Sequence, residues 1–219
     1  QKVKQVKLFG KEFVDVVLIG DTYDDAFHAA TEYVQTHDST FVHPFDDVLV
    51  MEGQGTVGLE IVKDANFRID YLLMASGVST VFKQLSPTTK LIGVEPLGSP
   101  SMKVAIDKGH VVTLDQIDTF VDGAAVKRAG NTTFEVCRQN LDRIILVPEG
   151  KVCTTILELY NEEAIVAEPA GALTIAALDL LKDEIKGKNV VCLLGGGNND
   201  ITRTEEIKER SLLYEGLKH

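Results

Sequence analysis

No stretch of this sequence is apolar over anything near the roughly twenty residues that a helix needs to cross a bilayer. No apolar signal core stands behind Gln1-Lys2-Val3-Lys4, so a cytosolic protein is expected. Cysteine is scarce: Cys137, Cys153 and Cys192 are odd in number and form no CxxC pair. A disulfide framework and a zinc site are therefore not expected, and each thiol should pack as a small hydrophobe. Basic residues are outnumbered, 22 Lys and Arg against 33 Asp and Glu, for a formal charge of −11. Binding a phosphate backbone requires clustered cations, which argues against nucleic acid as a partner. The five histidines (His28, His37, His43, His110 and His219) show no metal-ligand spacing. Internal repeats, low-complexity tracts and a flexible interdomain linker are also lacking.

What is present is the composition of an ordinary soluble domain, 44% hydrophobic and 25% charged. The length of 219 residues suffices for one substantial domain, or one domain plus part of another. Short β-branched runs alternate with helical periods. Val14 to Ile19 and Thr40-Phe41-Val42 read as strands, with a helix between them that places Tyr23, Phe27, Ala30 and Val34 on one face. Residues 48–64 read as a helix and Ile69 to Met74 as a strand, followed by a helix carrying Val78, Val81, Phe82 and Leu85. Leu91 to Val94 and Arg143 to Val147 are further strands, and residues 100–109 and 131–140 are helical. A helix with Leu173, Ala176, Ala177, Leu180 and Leu181 on one face leads into the strand Val190 to Leu194. Thr202 and Glu205 form a capping-box pattern for a last helix. Apolar strands separated by helices predict an α/β fold, a mostly parallel sheet with helices on both faces. A domain boundary is placed near residue 49.

Local chemistry is less specific. Leu194-Gly195-Gly196-Gly197-Asn198-Asn199-Asp200 follows a strand and precedes a helix, where backbone N–H groups can approach a ligand. It matches neither the dinucleotide fingerprint nor the P-loop, and a tight turn explains it as well. Glu168 before Pro169-Ala170-Gly171-Ala172 could present a carboxylate to a ligand, though a helix cap is the simpler role. Gly53 and Gly55 sit within a predicted helix at a cost of roughly 1 kcal/mol each, which close packing most simply explains. Glu95-Pro96 and Asp122-Gly123 follow apolar runs, where α/β proteins place ligand loops, and turn chemistry accounts for both equally well.

Taken in order along the chain, these segments resemble the biosynthetic threonine deaminases, pyridoxal-phosphate enzymes of fold type II with a tryptophan-synthase-β-like fold. The resemblance runs from Gln1 to Lys7 through Gly20 to Ala26, Phe41 to Asp47, Gly53 to Thr56, Ile92 to Pro96, Val121 to Val126, Val166 to Ala172 and Gly196 to Asp200, and ends with Lys208 to His219. It implies pyridoxal phosphate as cofactor, a small amino acid as substrate, a homo-oligomer, and deamination of L-threonine to 2-oxobutanoate and ammonia. It also implies that residues 1–49 are a remnant of the small domain and 50–219 the large cofactor domain. Gly195, Gly196, Gly197 and Asn198 would line the pyridine side of the cofactor, with Glu168, Ser76 and Gly77 also at the cofactor and Asp122 and Gly123 as a substrate wall.

Four departures set the limits of that resemblance. The family's Schiff-base lysine segment has no counterpart, so no catalytic residue is carried over and the chain looks truncated. Met74 runs directly into Ala75-Ser76-Gly77, where the family has a tetraglycine phosphate loop. Gly195 stands where the family commonly has a serine on the pyridine nitrogen. The sequence stops near the start of the family's effector domain. Some relatives use the glutamate matching Glu95 for a divalent cation, but Ser99 and Ser101 offer no completing carboxylate, so no metal is expected. The alternatives are a catalytically inactive remnant serving as a binding or assembly module, and a related serine/threonine dehydratase or racemase.

Overall fold

The computed structural model describes residues 2–21, 23–74 and 78–218. Four parallel strands form one sheet in the order β3-β2-β1-β4, with β1 Tyr71–Met74, β2 Lys90–Pro96, β3 Arg143–Val147 and β4 Val190–Cys192. Leu72 lies beside Leu91 on one side and Val191 on the other, and Gly93 beside Ile144. Alternation along β1 sends its side chains into two cores. Tyr71 and Leu73 join Ile92, Val94, Val147 and Leu173 on one face, and Leu72 and Met74 join Val78, Phe82 and Leu91 on the other.

The helices, in chain order, are α1 Lys2–Gly10, α2 Tyr23–Thr36, α3 Val48–Asp64, α4 Ser79–Leu85, α5 Ser101–Lys108, α6 Asn131–Asn140, α7 Glu149–Glu163, α8 Pro169–Ala176, α9 Leu178–Leu181 and α10 Thr204–Tyr214, and α1 and α2 bury no residue. The expected α/β sheet with helices on both faces is therefore the fold. The glycines of α3 have a packing reason on one side. A methyl at Gly58 would press into Val78, and one at Gly55 would lie 3.3 Å from Val81, so small residues let α3 and α4 close up. Cys137 and Cys153 are buried, and burial pushes both thiols up to about 12, which keeps them protonated.

Several local expectations are corrected. Val14 to Ile19 and Thr40 to Val42 are not strands. A β-branched run becomes a strand only with a ladder partner, and none pairs with either among the described residues. Strand β2 continues through Glu95 and Pro96 instead of stopping before them, and β4 ends at Cys192. The helix expected through Leu181 is interrupted by a turn at Ala177. Helix α7 has no counterpart among the sequence expectations. Its buried Val152, Cys153, Ile156 and Leu159 follow a helical period, but buried Lys151 and Thr155 blur that stripe. The last helix has no capping box at Thr202. Asp200 accepts from the Thr202 N–H at 3.1 Å and caps a short 3-10 turn, Ile201–Arg203, ahead of α10.

The His43 to Asp47 turn is an internal strut. Asp47 caps α3 by accepting from Leu49 N–H at 2.8 Å. Asp46 reaches across the chain to cap α6, accepting from Asn131 N–H at 2.9 Å and from Thr133 N–H at 2.8 Å. Nδ1 of His43 accepts from Asp46 N–H at 2.8 Å while its ring packs edge-on against Phe27, Phe41 and Phe45. Because Asp46 satisfies orphan donors of a helix distant in sequence, Asp46→Ala should lower stability by about 1–2 kcal/mol. The cost should appear as a reduced urea midpoint at unchanged slope, with Asp46→Asn losing clearly less.

Candidate functional site

Strand order reverses between β1 and β4, and open parallel sheets bind ligands in the crevice at the carboxyl ends of strands flanking such a reversal. The two chain segments leaving that point are the one after Met74 and the one after Cys192. Ser76 and Gly77 belong to the first and lie outside the described residues. The second contains Gly195, Gly196, Gly197 and Asn198, held in place by Thr174, whose hydroxyl donates to Leu193 O at 2.8 Å.

Glu168 organises this segment. Its N–H donates to Gly196 O at 3.0 Å and its Oε2 accepts from Asn198 N–H at 2.9 Å. The carboxylate therefore clamps the glycine loop, and it makes no side-chain capping bond to α8. The simpler capping role is thus corrected. At Gly171 a methyl would run into the backbone of Gly196, lying 2.8 Å from its N, and at Gly196 a methyl would collide with the Glu168 carboxylate. Glycine is required at both positions so that α8 and the loop can touch through their backbones. Gly123 joins the same cluster, because a methyl there would lie 2.8 Å from Ala170 Cβ and 3.3 Å from Glu168 Oε1. At Gly195 a methyl would meet nothing within 4 Å, so its Cα faces open space and a flat group could approach closely.

Asp122 stands at the rim. It accepts from Lys2 Nζ at 3.2 Å and lies 3.8 Å from Arg203 Nη1. Arg203 also donates to Phe120 O at 2.9 Å, and the Arg203 and Arg210 guanidiniums lie 4.8 and 4.3 Å from the Phe120 ring centroid. This clamp from the 3-10 turn and α10, which the sequence did not suggest, fixes the loop carrying Asp122 and Gly123. Only tertiary contact could reveal it, since Phe120 and Arg203 are far apart in the chain. Gly171 could have been found earlier, since a small residue early in a helix beside a glycine loop suggests close approach.

Two cavities flank the cluster. The first, about 220 Å³, is bordered by Gly93, Glu95, Gly123, Thr133 and Cys137. Glu95 accepts from Met102 and Lys103 N–H, both at 2.8 Å, at the start of α5. Burial nonetheless pushes its carboxyl up to about 7, against those two bonds and the nearby Lys103 charge. The second cavity, about 310 Å³, is bordered by Tyr160, Ile165, Val166 and Asn199, and Asn199 Oδ1 is buried there without a hydrogen-bond partner among the described residues.

A parallel α/β sheet with a glycine loop clamped at its switch point defines the large-domain architecture of fold-type II pyridoxal-phosphate enzymes. A sequence profile described as pyridoxal-phosphate dependent enzyme matches residues 1–196, and the chain belongs to that family. It is 59% identical over 226 residues to the L-threonine dehydratase biosynthetic IlvA of Halalkalibacterium halodurans and 58% identical to that of Bacillus subtilis. Each alignment covers all of this chain and 54% of the relative, so the chain spans about half the length of these relatives. Among solved structures, the processed form of threonine deaminase isoform 2 from Solanum lycopersicum superposes with a TM-score of 0.88 at 35% identity, covering 96% of this chain and 63% of that one. The threonine deaminase of T.th. superposes at 0.81 with 31% identity, covering 91% of this chain and 67% of that one.

The residues present fit the family's cofactor in part. The bare face of Gly195 suits a planar ring, and the clamped loop holds that face still. Neither cavity is bordered by a lysine that could hold the group covalently, and Gly195 brings no side chain to a ring nitrogen.

Proposed function

We propose that this chain is the cofactor-domain part of a pyridoxal-phosphate-dependent L-threonine ammonia-lyase, which forms 2-oxobutanoate and ammonia in isoleucine biosynthesis. The observation that carries it is the 59% identity over the whole chain to a biosynthetic threonine dehydratase. Residues 1–49 would belong to the small domain and 50–219 to the cofactor domain. A small amino-acid substrate, a homo-oligomeric assembly and a cytosolic setting complete the proposal. Among the described residues no helix is long and apolar enough to cross a membrane.

When bound, the cofactor withdraws electron density from the substrate carbon that loses its proton, which lets the β-hydroxyl leave. The chain's part is positional. Gly195 to Asn198 would offer a flat backbone shelf to the ring, Glu168 would keep that shelf rigid, and Ser76 and Gly77 would flank the phosphate. Asp122 and Gly123 would form the wall beside the substrate. A shelf held by paired hydrogen bonds costs no reorganisation when the ring arrives, which is the benefit of preorganisation. No proton transfer is assigned to a residue here, because no described lysine borders either cavity.

The test is to titrate the chain with pyridoxal phosphate, follow absorbance, and assay 2-oxobutanoate release from L-threonine and pyruvate release from L-serine. Faster release of 2-oxobutanoate from threonine than of pyruvate from serine is expected of a threonine ammonia-lyase. Saturable cofactor binding without release would make the chain a cofactor-binding module of the same fold. Absence of both binding and release would overturn the assignment of the shelf.

A further inference from the structure

We propose that Arg203 is a positioning residue for the amino-acid substrate, setting the gap between the glycine shelf and the wall of Asp122 and Gly123, a role that rests on the ammonia-lyase reading of this site. Asp122 and Gly123 are the central residues of a turn closed by Ala124 N–H, which donates to Val121 O at 2.9 Å. A turn closed in this way moves as one unit, so its place is set by what holds the residues beside it. On one side Gly123 packs against Glu168 and Ala170 with no room for a methyl. On the other, both backbone groups of Phe120 are held. Asp118 accepts from the Phe120 N–H at 2.8 Å, and Arg203 Nη2 donates to the Phe120 carbonyl at 2.9 Å.

Arg203 reaches the wall from the shelf's own segment. It ends the 3-10 turn Ile201–Arg203, which follows the glycine loop directly and is capped by Asp200. Its bond to Phe120 O therefore ties the end of the shelf segment to the start of the wall. Glu168 ties the same two parts from α8, through Asn198 N–H at 2.9 Å and its packing on Gly123. The shelf keeps its bonds to Glu168 whatever stands at position 203, whereas the wall turn loses its anchor at Phe120 O. The Arg203–Asp122 ion pair, 3.8 Å long with the Asp122 side chain 51% exposed, contributes little. The hold comes from the bond to Phe120 O and from the guanidinium lying 4.8 Å from the ring centroid. A lysine ammonium cannot supply that planar fork and stack together. Arg210 lies 4.3 Å from the same ring but directs its hydrogen bonds to Asp118 and Glu206, so it supports the ring and not the carbonyl.

Two measurements on the full chain test the role in wild type, Arg203→Gln, Arg203→Lys and Arg210→Gln. Arg203→Lys keeps the charge and the aliphatic stem, which guards against a variant that fails to fold. Hydrogen exchange without ligands should show faster exchange of amides 121–124 in both Arg203 variants, with amides 196–198 at wild-type rates. Calorimetry with pyridoxal phosphate and then L-threonine, corrected for their reaction in free solution, reads the consequence. Threonine affinity should fall at least about tenfold in both Arg203 variants, because a displaced wall forfeits its fit to the substrate. Affinity for pyridoxal phosphate should not change, and Arg210→Gln should lose clearly less threonine affinity. Unaltered exchange at 121–124, threonine affinity that survives Arg203→Gln, or full rescue by Arg203→Lys would each overturn the proposal. Parallel loss of threonine and cofactor affinity, or equal losses at Arg203 and Arg210, would do the same by reducing Arg203 to a packing support. A wild-type chain that binds no threonine would sink the ammonia-lyase reading and this role with it, an outcome distinct from wild-type binding that the variants leave intact.

Discussion

Gly171→Ala is expected to destabilise the chain by about 2–3 kcal/mol, although alanine is the better helix former by about 1 kcal/mol. Gly171 is fully within α8, and the added methyl points at the carbonyl oxygen and the amide nitrogen of Gly196. Both are backbone atoms of a loop that Glu168 holds through Gly196 O and Asn198 N–H, so no flexible side-chain end can move aside. The loop can yield only by leaving Glu168, which would also lower affinity for pyridoxal phosphate. Gly53→Ala provides the opposite case within the same protein. A methyl there meets nothing within 4 Å on the exposed side of α3, so stability should rise by about 0.5–1 kcal/mol. Urea midpoints of the two variants moving in opposite directions would support the backbone-contact account. A neutral or stabilising Gly171→Ala would show that α8 and the glycine loop do not touch as described.

The second large effect is a dependence of stability on pH through Glu95. Burial raises its carboxyl from an ordinary value near 4.5 to about 7 in the folded chain. Between those values the folded state holds a proton that the unfolded state has released, so stability falls as pH rises. No cost is present below about 4.5, and the full cost, about 3 kcal/mol, is reached above about 7. Other carboxylates act in the opposite direction. The Arg143 guanidinium and the Lys218 ammonium hold Glu184 and Glu209 below the usual range, and both carboxylates are exposed. The Glu95 contribution is therefore read as the difference between wild type and Glu95→Gln, measured by urea denaturation from pH 4 to pH 8. That difference should change in favour of the variant across the window from 4.5 to 7. A difference flat with pH would mean that the two amides at the start of α5 hold Glu95 as a carboxylate throughout.

Family and cofactor class were legible in the sequence because ordered motifs survive as local chemistry. Gly195 to Asn198 follow a strand, Glu168 stands just before a helix and Gly123 in a loop between helices, and the structure brings these distant segments together. What each does was less legible. Glu168 looked like a helix cap, because a carboxylate before Pro169 is the usual way to satisfy a helix start. Its contact with Asn198 depends on how close α8 comes to the loop, which the absence of a side chain at Gly171 allows. Val14 to Ile19 misled in the other direction. Its composition is that of a strand, but a ladder requires a second strand in register.

By itself, then, the sequence determined an alternation of strands with helices that includes all four strands of the sheet, the apolar positions that fill both faces of the sheet, and the glycine-rich loop at a strand end. Those features follow from periodicity and backbone preference, which act over a few residues. Tertiary structure alone decided that Glu168 clamps the loop, that Asp46 caps α6, that Arg203 and Arg210 grip Phe120 beside Asp122, and that Val14 to Ile19 pairs with no strand among the described residues. Each of these depends on which distant backbone or side chain arrives within hydrogen-bond or van der Waals reach, and that is fixed only when the layers pack.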